Sequence, residues 1–167
     1  HFFLYGEELD LSWRVWMTGE TIVHAPLARL HHRGAVAVNP KGGATVVELR
    51  TSESKRFYAN RNHLLALLKN AQHVLLLLLI PAILLMAAEG LAGILLCHSP
   101  TFFSRTCLRA LADCWRLRGH IRAERRRIRG FRRHGDFWLL QFFTWRFNRW
   151  RDWKIMLKLG LPIVDRK

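Results

Sequence analysis

The sequence predicts an α/β arrangement at its N-terminal end, followed by membrane-associated, mostly α-helical segments. Three observations carry that expectation. A helical pattern near Glu8 is followed by short stretches of strand character, Thr21 to Ala25 and Ala28 to His31. An apolar run extends from Val74 to Ala88 and resumes from Leu91 to Cys97. Beyond it, Arg105 to Arg133 packs eleven arginines against only Asp113 and Glu124. The 167 residues accordingly divide into segments 1–70, 71–98 and 99–167.

In the first segment, Leu9, Trp13, Trp16 and Met17 recur at helical spacing, so a helix beginning near Glu8 has one buried stripe. Glu7, Glu8 and Asp10 crowd its first turn, where the helix dipole stabilises a carboxylate by roughly 0.3–1 kcal/mol. Helix capping alone would suffice to explain this crowding. Arg14, one turn further on, is expected to be a structural ion-pair partner.

Around the acids lies an ordered series: Phe2-Phe3-Leu4-Tyr5, Glu7-Glu8, Asp10-Leu11, Arg14, Gly19, the stretch Thr21 to Ala25, Pro26, Ala28 and His32. In order and spacing it resembles the second half of the catalytic domain of family-2 inverting glycosyltransferases of GT-A type. The rhamnosyltransferase-like and galactofuranosyltransferase-like bacterial members are the most similar. The resemblance covers residues 1–70. It implies an α/β fold, the C-terminal portion of a GT-A domain, with Glu8 matching the general base. Glu7 and Asp10 match flanking acids that shape the acceptor site and the helix start. His32 matches the histidine that completes coordination of a divalent metal, Mg or Mn, on the donor diphosphate; His31 and His24 match no such role. The family usually has Asp where this chain has Glu8, and a base moved by about 1 Å loses on the order of 100-fold in rate.

The residue types suit the chemistry. A sugar hydroxyl must lose a proton while attacking the anomeric carbon, which a carboxylate within hydrogen-bond reach can accept. The implied partners are a nucleotide-sugar donor and a lipid-linked or polysaccharide acceptor, with rhamnose among the candidate sugars. A D-x-D metal motif and a Gly-rich phosphate loop are absent from the sequence. With His1 and Phe2 as its first residues, the chain is expected to be the later part of a longer enzyme and inactive alone.

Further along, residues 34–43 read as a loop around Asn39-Pro40 and Gly42-Gly43, with 44–49 as another short strand. Thr51 or Ser52 can cap a helix running to Lys69-Asn70 with Glu53 in its first turn. This helix resembles the family's Y-x-x-R-N element, which makes Arg61 and Asn62 candidates for binding acceptor phosphate.

The apolar run is interrupted by Pro81 and by Glu89-Gly90, and arginines and lysines flank it on both sides. Basic residues on both sides fit a single crossing poorly. A re-entrant or interfacial arrangement bent at Pro81 or Glu89-Gly90 keeps both flanks at the anionic surface of the cytoplasmic leaflet. Arginine-rich helices over 104–130 and the mixture of Trp, Phe and Arg between Phe137 and Trp153 have an interfacial composition. Leu157 to Ile163 reads as a terminal loop or short anchor.

Cys97, Cys107 and Cys114 form no metal pattern; Cys107 and Cys114, seven residues apart, are expected to fill one apolar helix face. The net charge of +15 calls for an anionic partner. A basic nucleic-acid-binding module and a non-catalytic membrane scaffold are the alternatives. The apolar run speaks against the first and the series from Glu7 to His32 against the second, so the expected location is the cytoplasmic face of the cell membrane, with no nucleic acid bound.

Overall fold

The structure is a computed structural model that describes residues 2, 5–29, 37–38, 46–48, 50–96, 98–143 and 149–165. It is mostly helical, which overturns the α/β expectation. The described strands are two or three residues long: β1 (Ala37–Val38) pairs antiparallel with β2 (Val46–Glu48), and β3 (Arg50–Ser52) runs parallel to β4 (Ile163–Asp165). No sheet of GT-A size exists among the described residues. Thr21 to Ala25 form no strand: among the described residues no strand pairs with them, the Ala25 carbonyl accepts instead from the Ala28 amide at 3.0 Å, and their side chains are exposed, Val23 at 83%. A short alternating stretch becomes a strand only when a neighbour completes its hydrogen bonds.

Helix α1 (Glu7–Met17) packs on the long α2 (Glu53–Asn70), the hub of the fold. Ser52 caps α2 by accepting a hydrogen bond from the Lys55 amide at 3.2 Å, as its position before Glu53 predicts. At the other end, the Arg125 guanidinium donates to the carbonyls of Leu68 and Ala71 at 2.6 and 2.7 Å, and Arg132 donates to that of Asn70. Two arginines from a distant helix thus satisfy carbonyls that a helix end leaves orphaned.

After α2 the chain forms α3 (His73–Leu76) and α4 (Leu79–Leu96). The break at Leu77–Leu78 lies just before Pro81, whose ring excludes the carbonyl four residues back and whose missing amide is harmless in a first turn. Glu89-Gly90 makes no bend; α4 continues through it. A stripe of Met86, Gly90 and Gly93 is buried, with Phe102, Phe103 and Cys107 packed against it, while Ile80, Leu84, Leu91 and Leu95 are exposed. Segment His73–Leu96 contains an 18-residue window with a mean hydropathy of 2.5 and is, by length and composition, long and apolar enough to cross a membrane.

The chain returns through a π-helical turn (Ser104–Leu108) into α5 (Arg109–Arg116) and α6 (Arg118–Phe131), both packed on α2. Then follow α7 (Asp136–Leu139), a 3-10 turn (Leu140–Phe142) and α8 (Arg149–Leu159). The last residues of α8 occupy part of the expected terminal loop.

Helix α6 serves two cores. Ile128 joins Trp13, Met17, Leu75 and Leu139, with Trp16 stacked on Phe142 at 4.9 Å; Ile121 joins Leu64, Leu65, Met86, Cys107 and Cys114. Each large apolar side chain buried in this way contributes roughly 1.5–3 kcal/mol. Cys107 and Cys114 fill the apolar face, as their spacing suggests, and burial pushes the Cys114 thiol up to about 12.

Candidate functional site

The acidic end of α1 is set by its backbone. Tyr5 and Gly6 both have positive φ, 66° and 82°, and Gly6 is the N-cap. A non-glycine residue in this region is strained, and Tyr5 is held there by the Asn62 amide, which donates to the Tyr5 carbonyl at 2.7 Å. A Cβ on Gly6 would approach the Asn62 Cβ to 3.2 Å. The turn therefore fixes where α1 starts and how closely it meets α2.

From that start the three acids diverge. Glu7 and Glu8 are exposed, whereas Asp10 is 7% exposed and lies on the buried stripe with Trp13 and Met17. The stripe therefore passes through Asp10 rather than Leu9, which is 37% exposed. Asp10 tolerates burial because its carboxylate is saturated: Asn70 donates at 2.7 Å, the Lys69 ammonium lies at 3.1 Å and Arg14 at 2.9 Å. Arg14 also reaches Glu124 of α6 at 3.2 Å, so it is an ion-pair partner, as its spacing suggests. Burial pulls the Lys69 ammonium below its ordinary value, and Asp10 opposes that pull.

Arg61 and Asn62 are engaged within the fold. The Arg61 guanidinium pairs with Asp113 at 3.1 Å and lies over the rings of Phe57 and Tyr58; Asn62 is fully buried. His32, the expected metal ligand, and His31 lie outside the described residues. Among the described residues no group of three or more His, Cys, Asp or Glu side chains is arranged to hold a metal ion, so those residues do not by themselves make the expected site.

The start of the apolar segment is a second polar assembly that local sequence patterns do not reveal. The Asp136 carboxylate accepts hydrogen bonds from the Gln72 and Leu75 amides at 3.0 and 2.9 Å, placing an anion at the N-terminus of α3, and Arg132 pairs with it at 3.5 Å. Beside this clamp is a cavity of about 190 Å³ lined by Lys69, Gln72, His73, Arg125, Arg129 and Arg132. The signal was present in the sequence around the end of α6: Arg125, Arg129 and Arg132, the last just past the helix, recur at i, i+4 and i+7, the spacing of one helix face.

Comparison with protein-family models, curated proteins and solved structures finds no match to the chain.

Proposed function

We propose that the chain is part of an inverting glycosyltransferase that moves a sugar from a nucleotide-sugar donor to a lipid-linked or envelope-polysaccharide acceptor at the cytoplasmic face of the membrane. The observation carrying this reading is the strained Tyr5-Gly6 turn, pinned by Asn62, which presents Glu7 and Glu8 to solvent while Asp10 is withdrawn into an ion-pair network. Strain held in place by a buried side chain is a mark of a site whose geometry matters. The reading rests on this acidic series, not on a sheet.

Glu8 is the base. Its carboxylate takes the proton of the acceptor hydroxyl as that oxygen attacks the anomeric carbon from the face opposite the leaving group. The bond to the nucleoside diphosphate breaks, its electron pair departs on the diphosphate oxygen, and the configuration inverts. Asp10 has no capacity for this role, since Lys69, Asn70 and Arg14 occupy its oxygens. The proposal includes a divalent ion, Mg or Mn, which His32 would help to hold on the donor diphosphate, where it would offset the charge of the leaving group.

The flank of α4 also supports a place at the membrane surface. Glu89 pairs with Arg56 of α2 at 3.9 Å, and Arg105, 61% exposed at its side chain, follows the turn against which Gly93 packs. Glu89 is the one charged side chain of α4, and the exposed Ile80, Leu84, Leu91 and Leu95 leave an apolar surface that a helix lying in the interface can bury.

The test is Glu8→Gln in the protein that carries this chain, assayed by sugar transfer from a panel of nucleotide sugars. Turnover should fall by about 100-fold or more with donor binding unchanged. Near-normal turnover in Glu8→Gln together with loss in Glu7→Gln would move the base to Glu7. His32→Ala should weaken donor binding in a way that added manganese or magnesium partly restores. The 167-residue chain alone should show no transfer.

A further inference from the structure

The cavity beside α3 is charged beyond what the fold neutralises. Lys69, Arg125, Arg129 and Arg132 line it, while the carboxylates in contact with them are Asp10, on Lys69, and Asp136, on Arg132. Four cations against two anions leave two positive charges in excess, which matches the charge of about −1.5 to −2 on a phosphate monoester. The donors differ in availability. Arg125 uses one nitrogen, Nη1, for both the Leu68 and Ala71 carbonyls, and Arg132 is committed to Asn70 and Asp136. Arg129 and His73 are exposed and enter no ion pair among the described residues. The volume, about 190 Å³, equals the liquid share of about six waters, roughly the bulk of one phosphate group with a little water.

The position is as informative as the charge. His73 is both a wall of the cavity and the first residue of the 24-residue apolar segment His73–Leu96. When that segment meets a bilayer, its first residue lies near the headgroup plane, and basic pockets at that depth hold lipid phosphates. We propose that this cavity is a phosphate-binding site, held by Arg129 and His73 in the field of Lys69, Arg125 and Arg132, and filled by the phosphate or pyrophosphate of a membrane-bound lipid. The proposal is independent of the chemistry at Glu8, since its readout is binding and not transfer.

The test uses the full chain in two arms. In the first, inorganic pyrophosphate is titrated calorimetrically into the chain in non-ionic detergent. In the second, the chain is floated with vesicles of phosphatidylcholine alone or of phosphatidylcholine with phosphatidic acid. The variant is Arg129→Gln with His73→Gln, both exposed and so compatible with folding; the control is Arg122→Gln, exposed on the same helix and outside the cavity. The double variant should lose about ten- to a hundredfold in affinity, the scale of one or two charge-assisted hydrogen bonds, while Arg122→Gln changes little. Loss in both arms, or in the vesicle arm alone, supports a lipid phosphate. Loss confined to pyrophosphate overturns the lipid source. Equal effects of the double variant and Arg122→Gln in both arms would mean that binding follows diffuse charge, and the site would be refuted.

Discussion

Asp10→Asn removes one charge from a buried ion-pair network without changing the side chain's shape. Asn at this position still accepts from Asn70 Nδ2, and Arg14 retains Glu124, so the loss falls on Lys69, whose side chain is 4% exposed. Left without a counter-ion, Lys69 either remains charged in a dry site or gives up its proton. The second route sets the ceiling: from an unfolded-state pKa near 10.4 to pH 7 is roughly 3.4 units at 1.36 kcal/mol each, or about 4.6 kcal/mol. That lies within the ~3–5 kcal/mol typical of breaking a buried pair from one side.

The variant should therefore lose about 3–4.5 kcal/mol in urea unfolding followed by tryptophan fluorescence in mild detergent. The double variant Asp10→Asn/Lys69→Met should recover most of it, because replacing both partners removes the uncompensated charge. The pH dependence has a definite sign. Burial lowers the Lys69 pKa in the fold, so over the interval between its folded and unfolded values the unfolded chain binds more protons and stability rises with pH. In Asp10→Asn that interval extends further down, and the deficit should shrink as pH rises from 7 towards 10. A loss under about 1 kcal/mol in the single variant, with additive behaviour in the double, would refute the reasoning.

Other measurements probe other parts of the fold. Gly93→Ala would place a Cβ 2.4 Å from Phe102 Cδ1, so an overpacking cost of ~1–3 kcal/mol outweighs the ~1 kcal/mol gain in helix propensity; Gly119→Ala, with open space around it, should stabilise by up to about 1 kcal/mol in the same unfolding assay. Cys107 and Cys114 should resist thiol reagents at pH 8 in a Cys97→Ser background until the chain is unfolded, since both are buried and burial raises both thiols. On anionic vesicles, high salt should release only part of the bound chain, because arginine attraction is screened and insertion of the exposed apolar face of α4 is not; complete release in a flotation assay would refute insertion.

What the sequence revealed was local. The Ser52 cap, the end of α2 at Asn70, the helical arginine-rich segments and the shared face of Cys107 and Cys114 follow from spacings of three to seven residues. What it concealed was pairing across the chain. A carboxylate at the start of a helix reads as a solvated cap until Lys69 and Asn70, 59 and 60 residues away, are found around Asp10. Likewise Asp136 reads as a short-helix acid, although it holds the amides where α3 begins. The strand expectation failed for the same reason, since Thr21 to Ala25 have the composition of a strand and, among the described residues, lack the distant partner that makes one.

The clamp by Asp136 also sets an order of events during synthesis. Gln72 and Asp136 are 64 residues apart, and at about 5–20 residues per second the ribosome needs roughly 3–13 s to travel from one to the other. For that interval the apolar segment has emerged without the carboxylate that anchors its first turn and without the arginines that close α2. Until then α3 and α4 have, among the described helices, only α1 and α2 to pack against, and the last helices assemble around a segment whose first surroundings have already been chosen.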